Sequence, residues 1–430
     1  MDAIGKDSGS TGSTGSANSP GPEGDPAGQA SRYDLVLFGA TGFTGQLTAE
    51  YLADAVPEGC RWALAGRSLD KLTEVRRSLA ATRPALADLP LLVADAADRT
   101  ALREVAGAAR VVISTVGPYL RFGEPLVAAC AEAGTDYVDL TGEPEFVDRM
   151  YTRHHERAKA SGARLVHSCG FDSVPHDLGA LFTVNSLPAD AKDAPVTVRG
   201  FVRAGGTFSG GTFASALTAL SRPRAAAQAA RERRVLEQRP AGRRIRTSPD
   251  RPRRSKDAQA WAWPLPTIDP QVVGRSAAAL PAYGPDFRYG HYAAIKRLPI
   301  ALAGSAGIAL LLAAAQLPAL RRGLSALRKP GEGPSAAERA KSWFTVRFVA
   351  QSGGARIWTE VSGGDPGYTE TAKMLAESAL SLAFDDLPVT AGQVTPAVAM
   401  GEALIDRLRA AGIRFTVLAE PPVGPPRRAR

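Results

Sequence analysis

The front half of the chain alternates short apolar runs with amphipathic stretches. The runs fall at 33–38, 62–65, 91–94, 111–116, 137–140 and 164–167. Each is strand-length and nearly free of polar positions, as in strands buried on both faces. Between them, 46–53, 69–79, 98–106, 122–133 and 145–160 carry helical spacing. Ser68 is placed to cap the second of these helices, and Gly134 and Gly162 stop the last two. Regular strand–helix alternation predicts an α/β fold with a doubly wound parallel sheet. Beyond Pro195 the pattern weakens. A strand is expected over 196–202 and a helix over 211–220. Trp343–Ala350 and Ala355–Val361 alternate in period two around Ser352-Gly353-Gly354, a hairpin pattern. Helices are expected over 368–384 and 397–411, and a last strand over 415–419. There is no internal repeat.

The first strand runs directly into Gly39-Ala40-Thr41-Gly42-Phe43-Thr44-Gly45 and then a helix. In a Rossmann-type turn Gly39 permits the sharp bend. Gly42 lets backbone approach a pyrophosphate, and Gly45 lets helix pack on strand. The helix N-terminus offers free amides to the phosphates. The second strand ends in Arg67-Ser68, where an NAD-binding site would place an acidic residue. A guanidinium and a hydroxyl suit a 2′-phosphate, so the expected cofactor is NADPH. Asp95, closing the third strand, either touches the adenine or caps the next helix. Gly117-Pro118-Tyr119 closes the fourth strand, where the chain can pass close to a ribose-nicotinamide.

Composition refines this picture. The chain has 430 residues, 44% hydrophobic and 22% charged, enough for more than one ordinary globular domain. The expected organisation is a disordered Gly/Ser tail over 1–31 and an NADP-binding domain over 32–180. A smaller mixed α/β substrate domain spans 181–421, and a basic tail 422–430. Cys60, Cys130 and Cys169 lie far apart, with no Cys/His ligand pattern, so neither a disulfide scaffold nor a metal site is expected. A cytoplasmic location is expected, with the inner face of the cell membrane as the alternative. The net charge of +9 is concentrated: 222–256 holds 13 Arg or Lys against three acids, a net of +10. Within a basic insertion over 222–257, this segment reads as a solvated, flexible stretch. Alternatively it contacts anionic headgroups or a carrier protein. No aromatic platform accompanies it, so nucleic acid is not an expected partner. A second feature is 298–320, which holds no charged residue and is bracketed by Lys296-Arg297 and Arg321-Arg322. It reads as a helix on the membrane surface, a buried helix, or a span.

GATGFTG, ALAGR, STVGPY, YVDLTGE and CGFDSVPHDLG occur in order from Leu35 to Gly179. This series resembles the saccharopine dehydrogenase-like oxidoreductases, and most closely their trans-acting enoyl reductase branch. A looser likeness continues through Gly364-Asp365-Pro366-Gly367-Tyr368 and Thr395-Pro396 to Gly412. The resemblance implies an NADP-binding domain and a substrate domain acting on a lipid-like or polyketide substrate. The partner would be a polyketide synthase or its carrier protein. It carries the dinucleotide role onto Gly39, Thr41, Gly42, Phe43, Gly45, Arg67 and Gly117; Ser68 and Asp95 join them on position alone. It supplies no catalytic residue. Tyr119, Asp172 and His176 are the polar candidates near the cofactor's reactive end, with helix capping the alternative for His176 and plain packing for Tyr119. Cys169 reads as a packing thiol. Two rivals stand beside enoyl reduction: C–N oxidoreduction of an amino acid, and a non-catalytic NADP-binding sensor or membrane scaffold.

Overall fold

The computed structural model describes residues 33–205, 221–247, 251–316 and 333–428. The 1–31 tail, the expected helix over 211–220, positions 317–320 of the apolar stretch and the last two residues of the basic tail lie outside the described residues.

The front half forms β1 (Tyr33–Phe38), α1 (Phe43–Ala55), β2 (Trp62–Gly66), α2 (Leu69–Thr82), β3 (Leu91–Val93), α3 (Arg99–Gly107) and β4 (Ala109–Ser114). It continues with α4 (Glu124–Ala133), β5 (Asp136–Asp139), α5 (Pro144–Ser161), β6 (Arg164–Val166) and α6 (Val174–Asn185). The strands build an all-parallel sheet in the order β3-β2-β1-β4-β5-β6, with Leu35 opposite Val111 and Leu37 opposite Ile113. The order reverses between β1 and β4, which opens a crevice at the carboxyl ends of those strands. Both faces are buried, which explains the unbroken apolar runs. Leu35, Leu37, Val111 and Ile113 pack toward α1 and α2, while Val36, Phe38, Val112 and Tyr137 pack with Leu102, Leu126 and Phe146 of α3, α4 and α5.

The back half supplies β7 (Val196–Gly205), α7 (Pro223–Leu236), β8 (Arg244–Arg246), β9 (Arg253–Ser255), β10 (Ala260–Pro264), α8 (Asp269–Ala279), β11 (Asp286–Ile295) and α9 (Leu298–Gln316). After these come β12 (Trp343–Ser352), β13 (Ala355–Gly363), α10 (Thr369–Phe384), β14 (Gly392–Val394), α11 (Gly401–Ala410) and β15 (Arg414–Leu418). Eight strands form a mixed sheet, ordered β15-β13-β12-β7-β11-β10-β9, with β8 also on β11. The expected hairpin is β12–β13. Gly353 and Gly354 both have positive φ, as a two-residue turn between twisted strands requires. Buried α6 packs on this sheet through Leu178, Leu181 and Val184, against Phe348 and Val361 among others.

The two halves interleave. α10 lies on the first sheet beside α1, and its Met374, Leu375 and Ala379 share the core of Leu35 and Leu37. β14 adds a seventh parallel strand beside β6. The first sheet is therefore completed by residues far beyond 180. A strand of three residues leaves no periodicity to read.

The basic segment differs from the flexible insertion expected of it. Its described part includes α7, which docks on α5. Arg222 makes two 2.9 Å bonds to Glu145, which Arg149 also pairs, and Arg233 bonds Asp148 at 2.5 Å. Both carboxylates are almost wholly buried, so the arginines neutralise charges that would otherwise be costly there. The apolar stretch forms α9, whose described side chains are mostly exposed: Leu310 is 73% exposed and Leu302 54%, while Ala301 is buried. The described part is thus not the buried helix that was one expectation. No helix among the described residues is long and apolar enough to cross a membrane.

Candidate functional site

The carboxyl end of β1 turns at Gly39, whose φ of +94° disfavours any side chain. A Cβ there would stand 2.6 Å from the Thr115 hydroxyl, and one at Gly45 would overlap the Gly39 carbonyl. Gly42 is different. Its amide donates to the Gly39 carbonyl at 3.0 Å, yet a Cβ would meet only that same oxygen, at 3.5 Å. Protein packing thus demands Gly39 and Gly45, while the space beside Gly42 is left for something else. α1 has no side-chain cap, so its first amides face the same space. That cradle fits a dinucleotide pyrophosphate. Thr115, after β4, donates to the Gly39 carbonyl at 3.0 Å and pins the two strand ends together. Thr41 accepts from Gln46 through its carbonyl. The Phe43 ring packs edge-on to Tyr368 at 5.1 Å, with Arg339 over its face, so only its backbone is left for the cofactor. Asp365 accepts from the Thr369 amide, so the Gly364–Tyr368 motif caps α10 and touches the glycine turn.

At the end of β2 the Arg67 side chain is exposed, with no partner among the described residues. Ser68 caps α2 through the Lys71 amide. The capping alternative for Asp95 falls instead to Asp98, which accepts from Thr100 and Ala101. Asp95 accepts from Ala97 at 2.8 Å and is otherwise exposed.

Beyond β4, β5 and β6 the three catalytic candidates separate. Gly117 precedes Pro118, and a Cβ on it would make only ordinary contact with the Tyr119 ring. Tyr119 does not present its phenol to the crevice. The ring is buried, and its hydroxyl donates to the Ser114 carbonyl at 3.0 Å while accepting from the Leu140 amide at 3.2 Å. Burial, and then the charge of Asp139, hold the phenol far above its ordinary pKa. Glu143 accepts from the Tyr119 and Leu120 amides and fixes the turn. Asp172 lies against Gly142 and is reached by solvent, though protein surrounds it. Desolvation by that protein, and then the charge of Asp269, push its carboxyl up to about 7. Its loop is strained: Ser168 and Ser173 have φ of 63° and 128°. His176 is buried and caps nothing. It stands 3.6 Å from Asp269, which is 3.5 Å from His291. Burial lowers the pKa of both imidazoles, His291 to about 4, against the opposing pull of Asp269. Asp269 and His291 escaped sequence analysis because their elements lack a clear pattern. Cys169 is fully buried and donates to the Val166 carbonyl. A separate recess, lined by Arg110, Thr135, Arg164 and Pro388 among others, lies at the opposite, amino ends of the strands.

Strand order and the glycine turn define a Rossmann-type dinucleotide-binding fold. Residues 35–166 match the saccharopine dehydrogenase NADP binding domain, and the cofactor is NADPH. A trans-acting enoyl reductase of Mycobacterium leprae is 38% identical over 411 residues, covering 89% of this chain and 96% of that one. A Mycobacterium tuberculosis protein, provisionally named for the same activity, is 41% identical over 410 residues with the same coverage. The chain belongs to the trans-acting enoyl reductase family of saccharopine dehydrogenase-like proteins. Saccharopine dehydrogenase (L-Glu forming) of Saccharomyces cerevisiae aligns with 90% of this chain and 100% of its own, at TM-score 0.49 and 13% identity. At that distance the strand order, not the likeness, defines the fold.

Proposed function

We propose that this protein reduces the carbon–carbon double bond of an enoyl thioester carried on a lipid-like or polyketide intermediate, in trans to the synthase that makes it. The observation that carries the reading is the relatives' shared name, matched over 89% of the chain. The Gly42 cradle supports it from the structure. When bound, NADPH supplies a hydride; the net reaction adds that hydride to the β-carbon and a proton to the α-carbon. The residues of this chain bind and orient. Amides of the glycine turn receive the pyrophosphate, Arg67 and Ser68 the 2′-phosphate, and Asp95 the adenosine end. Gly117 lets the chain pass close to the nicotinamide ribose.

Of the three candidates, Asp172 is our choice of proton donor. It alone is open to solvent, and with a pKa of about 7 it holds a proton near neutrality. Tyr119 is bonded on both sides and His176 is sealed in. For the substrate's source we propose a polyketide synthase carrier domain. Exposed α9, with Lys296 and Arg297 before it, would rest on an anionic membrane surface near a lipid substrate. Amino-acid oxidoreduction is not favoured. Arg275, a largely buried guanidinium close enough to interact with Asp177, is committed to Glu237 and Gln393.

Steady-state assays with a long-chain 2-enoyl thioester test the reading. NADPH consumption with the enoyl thioester, and none with its saturated counterpart or with an amino acid, is expected. Consumption only with an amino-acid substrate would overturn it.

A further inference from the structure

We propose that His176, Asp269 and His291 form a site for a zinc-class divalent cation, set behind the cofactor crevice. The three residues come from the first turn of α6, the start of α8 and the middle of β11. They lie far apart in sequence, yet one ligand atom from each falls within 4.8 Å of the others. Each imidazole turns a nitrogen toward a carboxylate oxygen, His176 Nε2 at 3.6 Å from Oδ1 and His291 Nε2 at 3.5 Å from Oδ2. Those separations are long for hydrogen bonds. They suit ligands of one ion: bonds of about 2.1 Å place tetrahedral ligand atoms about 3.4 Å apart. A modest rotation of the rings closes the remainder.

Two further observations point the same way. Asp269 is 2% exposed, and no Lys or Arg pairs with it among the described residues. Its hydrogen bonds come from neutral groups alone, the Thr267 hydroxyl, its own backbone amide and, at a long 3.4 Å, the Ser173 hydroxyl. A buried carboxylate needs a countercharge, and the positive end of α8 is only a partial one. In addition, His176 Nδ1 is buried with no partner, so this ring is not placed by hydrogen bonding. His291 Nδ1, by contrast, lies 3.1 Å from the Tyr289 hydroxyl, the kind of outer contact that orients a ligating imidazole with Nε2 toward the ion. Two nitrogens and an oxygen are a borderline donor set, suited to zinc. Three protein ligands leave a fourth position for water. Such an ion would tie α6, which follows the first sheet, to α8 and to β11 of the second.

The test uses the untagged full-length chain, stripped with a chelator, loaded with zinc chloride and desalted. Metal analysis should find about one zinc per chain, and Asp269→Asn or His291→Gln should reduce that at least tenfold while NADPH binding persists. Retention below about 0.1 zinc per wild-type chain, or unchanged retention in both variants, would overturn the proposal. Should the variants not fold, cobalt loading of the wild type decides. Strong visible bands of four-coordinate cobalt that zinc displaces support the site, and the pale spectrum of six-coordinate cobalt overturns it.

Discussion

Arg67 has no partner to lose among the described residues, so replacing it should cost the fold nothing and the cofactor much. A hydrogen bond between charged groups contributes about 1.5–3 kcal/mol, so Arg67→Ala should weaken NADPH roughly tenfold or more. NADH affinity should hardly move. Fluorescence titration of both cofactors measures this, and a parallel loss of both would remove the 2′-phosphate role. Asp172 makes a claim of opposite charge. The acid form would be the donor, so turnover should be steady below about pH 7 and fall as the carboxyl ionises above it. The surrounding protein is the larger cause of the raised value, so the direction does not hinge on the charge at Asp269. Asp172→Asn should lower kcat and abolish that limb of the pH profile while leaving NADPH affinity intact; a profile that keeps its limb would point to another donor. The glycine turn was legible in sequence because backbone chemistry dictates its residues locally. Asp269 and His291 were not, because only the packing of α8 and β11 against α6 gives them neighbours. Tyr119 takes the packed alternative, since the Ser114 carbonyl and Leu140 amide claim its hydroxyl.

At the scale of elements, α7 is the largest departure from the reading of sequence. Charge density alone suggested a solvated segment, because the acids that pair with it, Glu145 and Asp148, lie on α5 far back in the chain. Breaking a buried ion pair costs about 3–5 kcal/mol. Arg233→Ala should therefore cost roughly 3 kcal/mol or more in urea-induced unfolding. A loss of under about 0.5 kcal/mol, as for ordinary surface changes, would return the segment to solvent. For α9, apolar exposure and neighbouring cations together should give peripheral binding. The wild type should float with anionic vesicles at low salt and less at high salt. Leu302→Asp with Leu310→Asp should lose flotation while staying folded, since both side chains are exposed. A wild type that ignores anionic vesicles at low salt would dismiss the membrane contact.

Over the whole molecule, the two sheets share one chain in an interleaved manner. β1 to β6 were legible because each is a buried apolar run between capped helices, and the β12–β13 hairpin because Gly353-Gly354 marks its turn. The first sheet's seventh strand and its covering helix α10 come from the C-terminal half, so no boundary near 180 separates the cores. That interleaving brings the Gly364–Tyr368 motif against the glycine turn through Phe43 and Tyr368. It also holds the loop of Asp172, whose neighbour Phe171 donates its amide to the Thr371 hydroxyl. Hydride transfer from NADPH to a carbon–carbon double bond can be followed with an isotope. The protein is incubated with a 2-enoyl thioester and NADPH deuterated at the transferring position, and the thioester product is analysed by mass spectrometry. A saturated thioester with a single deuterium at the β-carbon is expected, formed with NADPH and far more slowly with NADH. An unreduced double bond, or deuterium found only at the carbonyl carbon, would contradict it.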